Sequence, residues 1–171
     1  MIVTVRQRRW LNLTGAGIVV ALMAYALYAQ HVLGLEACPL CIFQRVALIA
    51  LGIVMLLAGL HAPKGKSARI YGAVSLLPAL AGIGIAARHV YLQHLPPDAV
   101  PACGPGLDYM IDAFPVLEML SMVLTGSGEC ADVNWSFLGL SMPAWVLIWF
   151  VLLGGLSIYA NFSRTKRPTL F

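Results

Sequence analysis

Four long apolar runs decide what this chain can fold into: Leu11–Leu33, Ile42–Leu60, Ile70–Ala87 and Ala144–Ala160, with Arg45 the one charged side chain inside them. A helix crossing about 30 Å of hydrocarbon needs roughly 20 mostly apolar residues, because lipid offers no partner to a free backbone N–H or C=O. Charged residues make up only 11% of the chain, against roughly 25% in a soluble domain. An ordinary soluble protein, a disordered chain and a nucleic-acid binder built on a basic stripe are thereby excluded, since the net charge of +4 is scattered over short clusters. The runs predict a single all-α membrane domain over 1–171, an antiparallel bundle of four transmembrane helices at about 11–33, 42–60, 70–90 and 144–161. Pro78 falls inside the third and is expected to kink it. Arg6, Arg8 and Arg9 ahead of an apolar run are also the signature of a signal peptide. Such cores span about 7–15 residues, so this longer run, with three more behind it, reads as a retained span.

Orientation follows from charge, because Lys and Arg in short loops stay on the cytoplasmic side. Arg6, Arg8 and Arg9 precede the first span, Lys64, Lys66 and Arg69 lie between the second and third, and Arg164, Lys166 and Arg167 follow the fourth. The connections 34–41 and 91–143 hold all seven acidic residues and no Lys or Arg. Both termini are therefore expected inside and both connections outside.

All four cysteines, Cys38, Cys41, Cys103 and Cys130, fall in or beside those outward connections, where disulfides persist. Of the three pairings four cysteines allow, Cys38 with Cys41 forms a C-x-x-C, which leaves Cys103 with Cys130. Two inert structural disulfides and two exchanging redox pairs are both open readings. A structural zinc site fits less well, because it usually joins two C-x-x-C units. Local chemistry favours exchange at the first pair. Cys38 sits where an N-cap would, with Pro39 suited to the first helical position, and thiolates at helix N-termini and in Cys-X-X-Cys motifs have lowered pKa values. Arg45 stands one turn beyond Cys41 and shares its face. There it stabilises a Cys41 thiolate or an anionic acceptor; the competing role is an interfacial arginine paired with lipid phosphate or Glu36. Gln44, three residues beyond Cys41, is a further candidate on that face.

In the second connection, Pro96, Pro97, Pro101 and Pro105 bracket Cys103 and predict an extended, mobile strap. Apolar spacing from Tyr109 to Leu124 predicts a short interfacial helix, its regularity limited by Pro115. Gly126 and Gly128, with Glu129, mark a flexible approach to Cys130. Of His31, His61, His89 and His94, only the first and last two could converge for a haem, and interfacial hydrogen bonding is the simpler role. Trp135, Trp145, Trp149, Tyr91 and Tyr159 read as an aromatic belt.

Four motifs carry a resemblance: Cys38-Pro39-Leu40-Cys41-Ile42-Phe43-Gln44-Arg45, Cys103-Gly104-Pro105-Gly106-Leu107-Asp108-Tyr109-Met110, Gly128-Glu129-Cys130 and Phe137-Leu138-Gly139-Leu140-Ser141-Met142-Pro143. In order and spacing the chain resembles the disulfide bond formation protein B (DsbB) family over nearly its whole length. The resemblance implies an enzyme of the bacterial inner membrane, with no metal and no nucleic-acid partner. It would reoxidise a periplasmic thioredoxin-fold dithiol oxidase, DsbA, and reduce a membrane quinone, ubiquinone or menaquinone. It further implies that Cys103 is attacked by the partner, that Cys130 is its bridge partner, and that Cys38 and Cys41 reoxidise the loop pair with Cys41 facing the quinone. By the same resemblance Arg45 and His89 belong to the quinone site. A relative serving one dedicated substrate, and a structural membrane protein with inert disulfides, are the alternative readings.

Overall fold

The structure, a computed structural model, describes residues 2–102 and 107–165. Its elements run in the order β1 (Ile2–Val3), α1 (Val5–His31), α2 (Pro39–His61), α3 (Lys66–Leu92), α4 (Leu107–Ala113), α5 (Val116–Thr125), β2 (Ser136–Phe137), β3 (Leu140–Ser141), α6 (Met142–Phe162) and β4 (Arg164–Thr165). Helices α1, α2, α3 and α6 are each long and apolar enough to cross a membrane, which makes the chain a multi-pass membrane protein. Helix α1 packs against α2 and α6, and α3 against the same two, so the four close a ring.

The helices extend beyond the apolar runs because capping chemistry, not hydropathy, sets their ends. Thr4 opens α1 with a capping box: its hydroxyl accepts from the Gln7 N–H at 3.1 Å, and the Gln7 carboxamide accepts from the Thr4 N–H at 2.9 Å. Helix α1 therefore begins at Val5 and takes in Arg6, Arg8 and Arg9, whereas the apolar run begins at Leu11. It ends at His31, short of Leu33. Helix α2 starts at Pro39, behind Cys38 as N-cap. Pro78 lies inside α3, which continues through it. The helix expected over Tyr109–Leu124 is two helices, α4 and α5, with Pro115 as the N-cap of the second.

The centre of the bundle is lined by Ala16, Val19, Ala47, Leu48, Leu51, Met55, Ala79, Phe150 and Leu153. Without a hydrophobic drive between helices in lipid, close packing holds them together, and small residues allow it. Gly82 of α3 shows why: a Cβ there would lie 2.2 Å from the buried Phe150 ring. Large apolar side chains such as Val20, Leu60, Ile70, Leu77 and Leu80 instead face outward, as a surface in contact with hydrocarbon requires.

At the end of the bundle where β1 and β4 lie, Arg8 is fully buried and donates from Nε to the Ala160 carbonyl and from its two amino groups to the Pro63 and Ser163 carbonyls, each at 2.8 Å. These carbonyls lie at or just beyond the C-terminal ends of α6 and α2, where helix dipoles favour a cation. One guanidinium thus ties the start of α1 to the ends of two other helices. Beside it Asn12, Asn161, Ser157 and Ser75 form a continuous hydrogen-bonded ladder across α1, α6 and α3. Sequence reading assigned Arg8 only to the charge pattern; its tertiary partners lie more than 50 residues away.

At the opposite end a second apolar cluster, Leu40, Leu92, Met110, Val123 and Cys130, seats α4 and α5 on the ends of α2 and α3. Arg88 of α3 donates to the Leu124 and Thr125 carbonyls at 3.2 and 2.9 Å, closing the C-terminus of α5. The β2–β3 hairpin turns through Leu138 and Gly139, both at positive φ (52° and 78°), the conformation that matches the twist of a two-residue hairpin. At the other end of the molecule β1 pairs in parallel with β4.

Candidate functional site

Cys38 caps α2 in extended backbone, and its Sγ accepts from the Cys41 N–H at 3.3 Å. This is the sulfur equivalent of a serine or aspartate cap, and it turns the Cys38 side chain back over the first helical turn. The two sulfurs of the C-x-x-C therefore meet, 3.0 Å apart. His89, near the end of α3 and 3% exposed, faces both: Nε2 is 3.9 Å from the Cys38 sulfur and Nδ1 is 4.0 Å from that of Cys41. Gln44, one turn along α2 and also buried, places its carboxamide 3.1 Å from His89 Nδ1 and fixes the ring.

Cys130 arrives from the other connection. Helix α5 ends at Gly126, whose φ of +87° suits glycine and whose Cα packs against Leu92 so closely that a Cβ would be 2.3 Å from it. The 3-10 turn Gly128–Cys130 then buries the Cys130 side chain to 1% exposure. The reactive atoms of Cys130, Cys38 and His89 all lie within 4.8 Å of one another. The Cys130 thiol is pushed well above the ordinary cysteine range, first by interaction of its S–H with the Cys38 sulfur and then by burial. Sequence reasoning paired Cys130 with Cys103. Cys103 and Pro105 lie outside the described residues; of the extended strap expected around them, the described part winds into a 3-10 turn over Pro97–Ala99, with extended backbone only at the flanking Pro96 and Val100. Among the described residues the Cys38 sulfur lies within 4.8 Å of that of Cys130.

Below the sulfurs lies a cavity of about 280 Å³. Leu22, Met23, Leu48, Val146 and Trp149 form apolar walls, while Cys38, Cys41, Gln44, Arg45 and His89 supply the polar ones. Arg45 does not project freely: it donates to the Gln30 carboxamide and, at 3.3 Å, to the Ala26 carbonyl, both on α1. The guanidinium is thereby held in the cavity wall. Glu36, Glu129 and Asp132 also line the cavity, and each is exposed. All the expected site residues among those described, Cys38, Cys41, Gln44, Arg45 and His89 with Cys130 alongside, are thus brought to one place.

Trp135, Trp145 and Trp149, expected as belt residues, line the cavity. Trp145 and Trp149 share a face of α6 at i, i+4, and that spacing was the available signal. The hairpin holds the upper one, since Trp145 donates its indole N–H to the Phe137 carbonyl at 3.0 Å. Gln30 was missed altogether, although a carboxamide in an otherwise charge-free run was visible. The other histidines do not converge: His94 contacts the Val90 carbonyl, His61 contacts the Tyr71 hydroxyl, and His31 is exposed at the end of α1.

The site combines a Cys38 sulfur next to those of both Cys41 and Cys130, a buried imidazole and an apolar recess lined by the Arg45 guanidinium. Such a set suits thiol–disulfide exchange next to an apolar acceptor. Comparison with known proteins points the same way. A sequence profile described as "Disulfide bond formation protein DsbB" matches residues 8–160. A relative named "Disulfide bond formation protein B" from Nitrosococcus oceani is 50% identical over 151 residues, covering 88% of this chain and 89% of its own. One of the same name from Acinetobacter baumannii is 56% identical over 132 residues, 77% of each chain. A third, from Azoarcus sp., is 44% identical over 167 residues, covering 98% of this chain and all of its own.

Proposed function

The chain belongs to the disulfide bond formation protein B family, a membrane oxidoreductase family of disulfide formation, and we propose that it is a thiol:quinone oxidoreductase of the bacterial inner membrane. It takes electrons from a periplasmic thioredoxin-fold oxidase of the DsbA kind and passes them through two cysteine pairs to ubiquinone or menaquinone. Both termini are cytoplasmic and the cysteine-bearing connections periplasmic, in keeping with the distribution of Lys and Arg.

A single arrangement carries the reading: Cys38, Cys41 and His89 line an apolar recess together with Arg45, and Cys130 lies beside Cys38 and His89. The recess suits the head group of a lipid-soluble quinone, being mostly apolar with a few convergent polar groups. A bound quinone supplies the terminal sink for two electrons and two protons. The chain's own residues do the rest. The partner's thiolate attacks Cys103 of a Cys103–Cys130 disulfide, and the partner's second thiolate resolves the mixed disulfide, leaving Cys103 and Cys130 as thiols. The Cys130 thiolate attacks Cys38 of a Cys38–Cys41 disulfide, so that a Cys38–Cys130 bond forms as the Cys38–Cys41 bond breaks and Cys41 leaves as thiolate. Attack of Cys103 on Cys130 regenerates the loop disulfide and leaves Cys38 and Cys41 reduced. Arg45 stabilises negative charge on Cys41 or on the acceptor, and His89, held by Gln44, relays a proton beside the two sulfurs.

The test is steady-state turnover in detergent with a reduced thioredoxin-fold oxidase and a short-chain quinone, followed by quinone absorbance. The wild type turns over and Cys41→Ala does not; unchanged turnover of Cys41→Ala would mean that the C-x-x-C is inert.

A further inference from the structure

We infer that the reduced protein binds a thiophilic metal ion, Zn(II) in the first instance, through Cys38, Cys130 and His89 with Cys41 completing a tetrahedral set. The ligand atoms of the first three already lie within 4.8 Å of one another. The Cys41 sulfur is 3.0 Å from that of Cys38. In a tetrahedral zinc site, with Zn–S about 2.3 Å and Zn–N about 2.0 Å, the ligand atoms stand roughly 3.5–3.8 Å apart. Side-chain adjustments on the order of 1 Å bring Cys38, Cys130 and His89, and the Cys38–Cys41 pair, to those spacings.

The surroundings supply what such a site needs. The Gln44 amide nitrogen stands 3.1 Å from His89 Nδ1; a flip of the carboxamide puts its oxygen there to accept the Nδ1 proton, which leaves the Nε2 lone pair toward Cys38 and orients the ring as a ligand. Cys130, His89 and Gln44 are all at least 96% buried, so water competes poorly. Three thiolates around Zn(II) carry one net negative charge, and Arg45 in the same cavity wall opposes it. Binding expels up to three thiol protons and changes no oxidation state. Because Cys130 is remote in sequence from the C-x-x-C, spacing alone gives no sign of this set; the fold assembles it.

The site exists only while the sulfurs are reduced, since a Cys38–Cys41 disulfide removes two ligands. Metal capture would therefore hold the protein in its reduced form and stop turnover. The arrest rests on the function proposed above, whereas the binding rests on geometry alone.

The experiment is anaerobic equilibrium dialysis of the full chain in detergent, stripped of quinone and metal, against Zn(II). One Zn(II) per chain is expected for the reduced protein and essentially none after diamide oxidation, with Cys130→Ser and Gln44→Leu each weakening binding about tenfold or more. Co(II) added to the reduced wild type should give thiolate charge-transfer and tetrahedral d–d bands, a readout that depends on no variant folding. Equal binding before and after oxidation, or an octahedral Co(II) spectrum without thiolate bands, would overturn the inference. A chain that binds Zn(II) but never reduces quinone would remove the proposed function and leave the metal site standing; one that turns over and binds no Zn(II) would do the reverse.

Discussion

Cys130 shows how far one residue's environment governs its chemistry. Its thiol is raised above the ordinary range by the facing Cys38 sulfur and by burial, so it keeps its proton through neutral pH while Cys38 is reduced beside it. The reactive thiolate appears only as pH rises through the raised value. Mass-spectrometric alkylation of the reduced protein across pH should find Cys130 labelling with a midpoint clearly above the roughly 8.5 of a free cysteine. Cys38→Ala, which removes the largest cause, should bring that midpoint down; a midpoint near the free value in the wild type would contradict the arrangement. Arg45 is the second such residue. With its two α1 partners it is fixed in the cavity wall, and Arg45→Ala should lower kcat/KM for quinone about tenfold or more, in line with loss of a charged hydrogen-bond donor, while helical content stays unchanged. Quinone kinetics equal to the wild type would remove the role. The C-x-x-C and Arg45 were legible because they sit within one turn of each other. Gln30 and the Cys130–Cys38 approach were not, because each joins elements that only tertiary packing brings together.

At the scale of elements, hydropathy located the four spanning helices but not their ends. The first begins at Val5 because of the Thr4 and Gln7 capping box, a polar signal outside any apolar window. Apolar spacing points to one amphipathic helix limited by Pro115, whereas Pro115 separates two helices. Helix contacts depend on absent side chains as much as present ones. Gly82 meets three ring atoms of Phe150, which is fully buried and has no room to move. Gly82→Ala should therefore destabilise the bundle by about 1–3 kcal/mol, read as a lower midpoint of thermal unfolding in detergent. An unchanged midpoint would mean that α3 and α6 can part at no cost. Arg88 illustrates a further kind of join, binding α5 to α3 next to His89, so the helix that delivers Cys130 and the helix that carries His89 are fastened together.

The whole molecule divides into two ends with different work. One is a polar clamp, where Arg8 and the Asn12–Asn161–Ser157–Ser75 ladder join all four spanning helices. The other gathers sulfur, imidazole and guanidinium around an apolar recess. On the function proposed above, exchange with a soluble partner and delivery to a lipid-soluble acceptor meet within one cluster, which is the central claim. It is tested most directly by a single turnover: the fully reduced, quinone-free protein is mixed anaerobically with one equivalent of a short-chain ubiquinone, and quinone absorbance and free thiols are counted together. The account predicts loss of the quinone absorbance with disappearance of two thiols per quinone, the first disulfide found by mass spectrometry joining Cys38 to Cys41. Quinone absorbance that persists while all thiols remain free would contradict it.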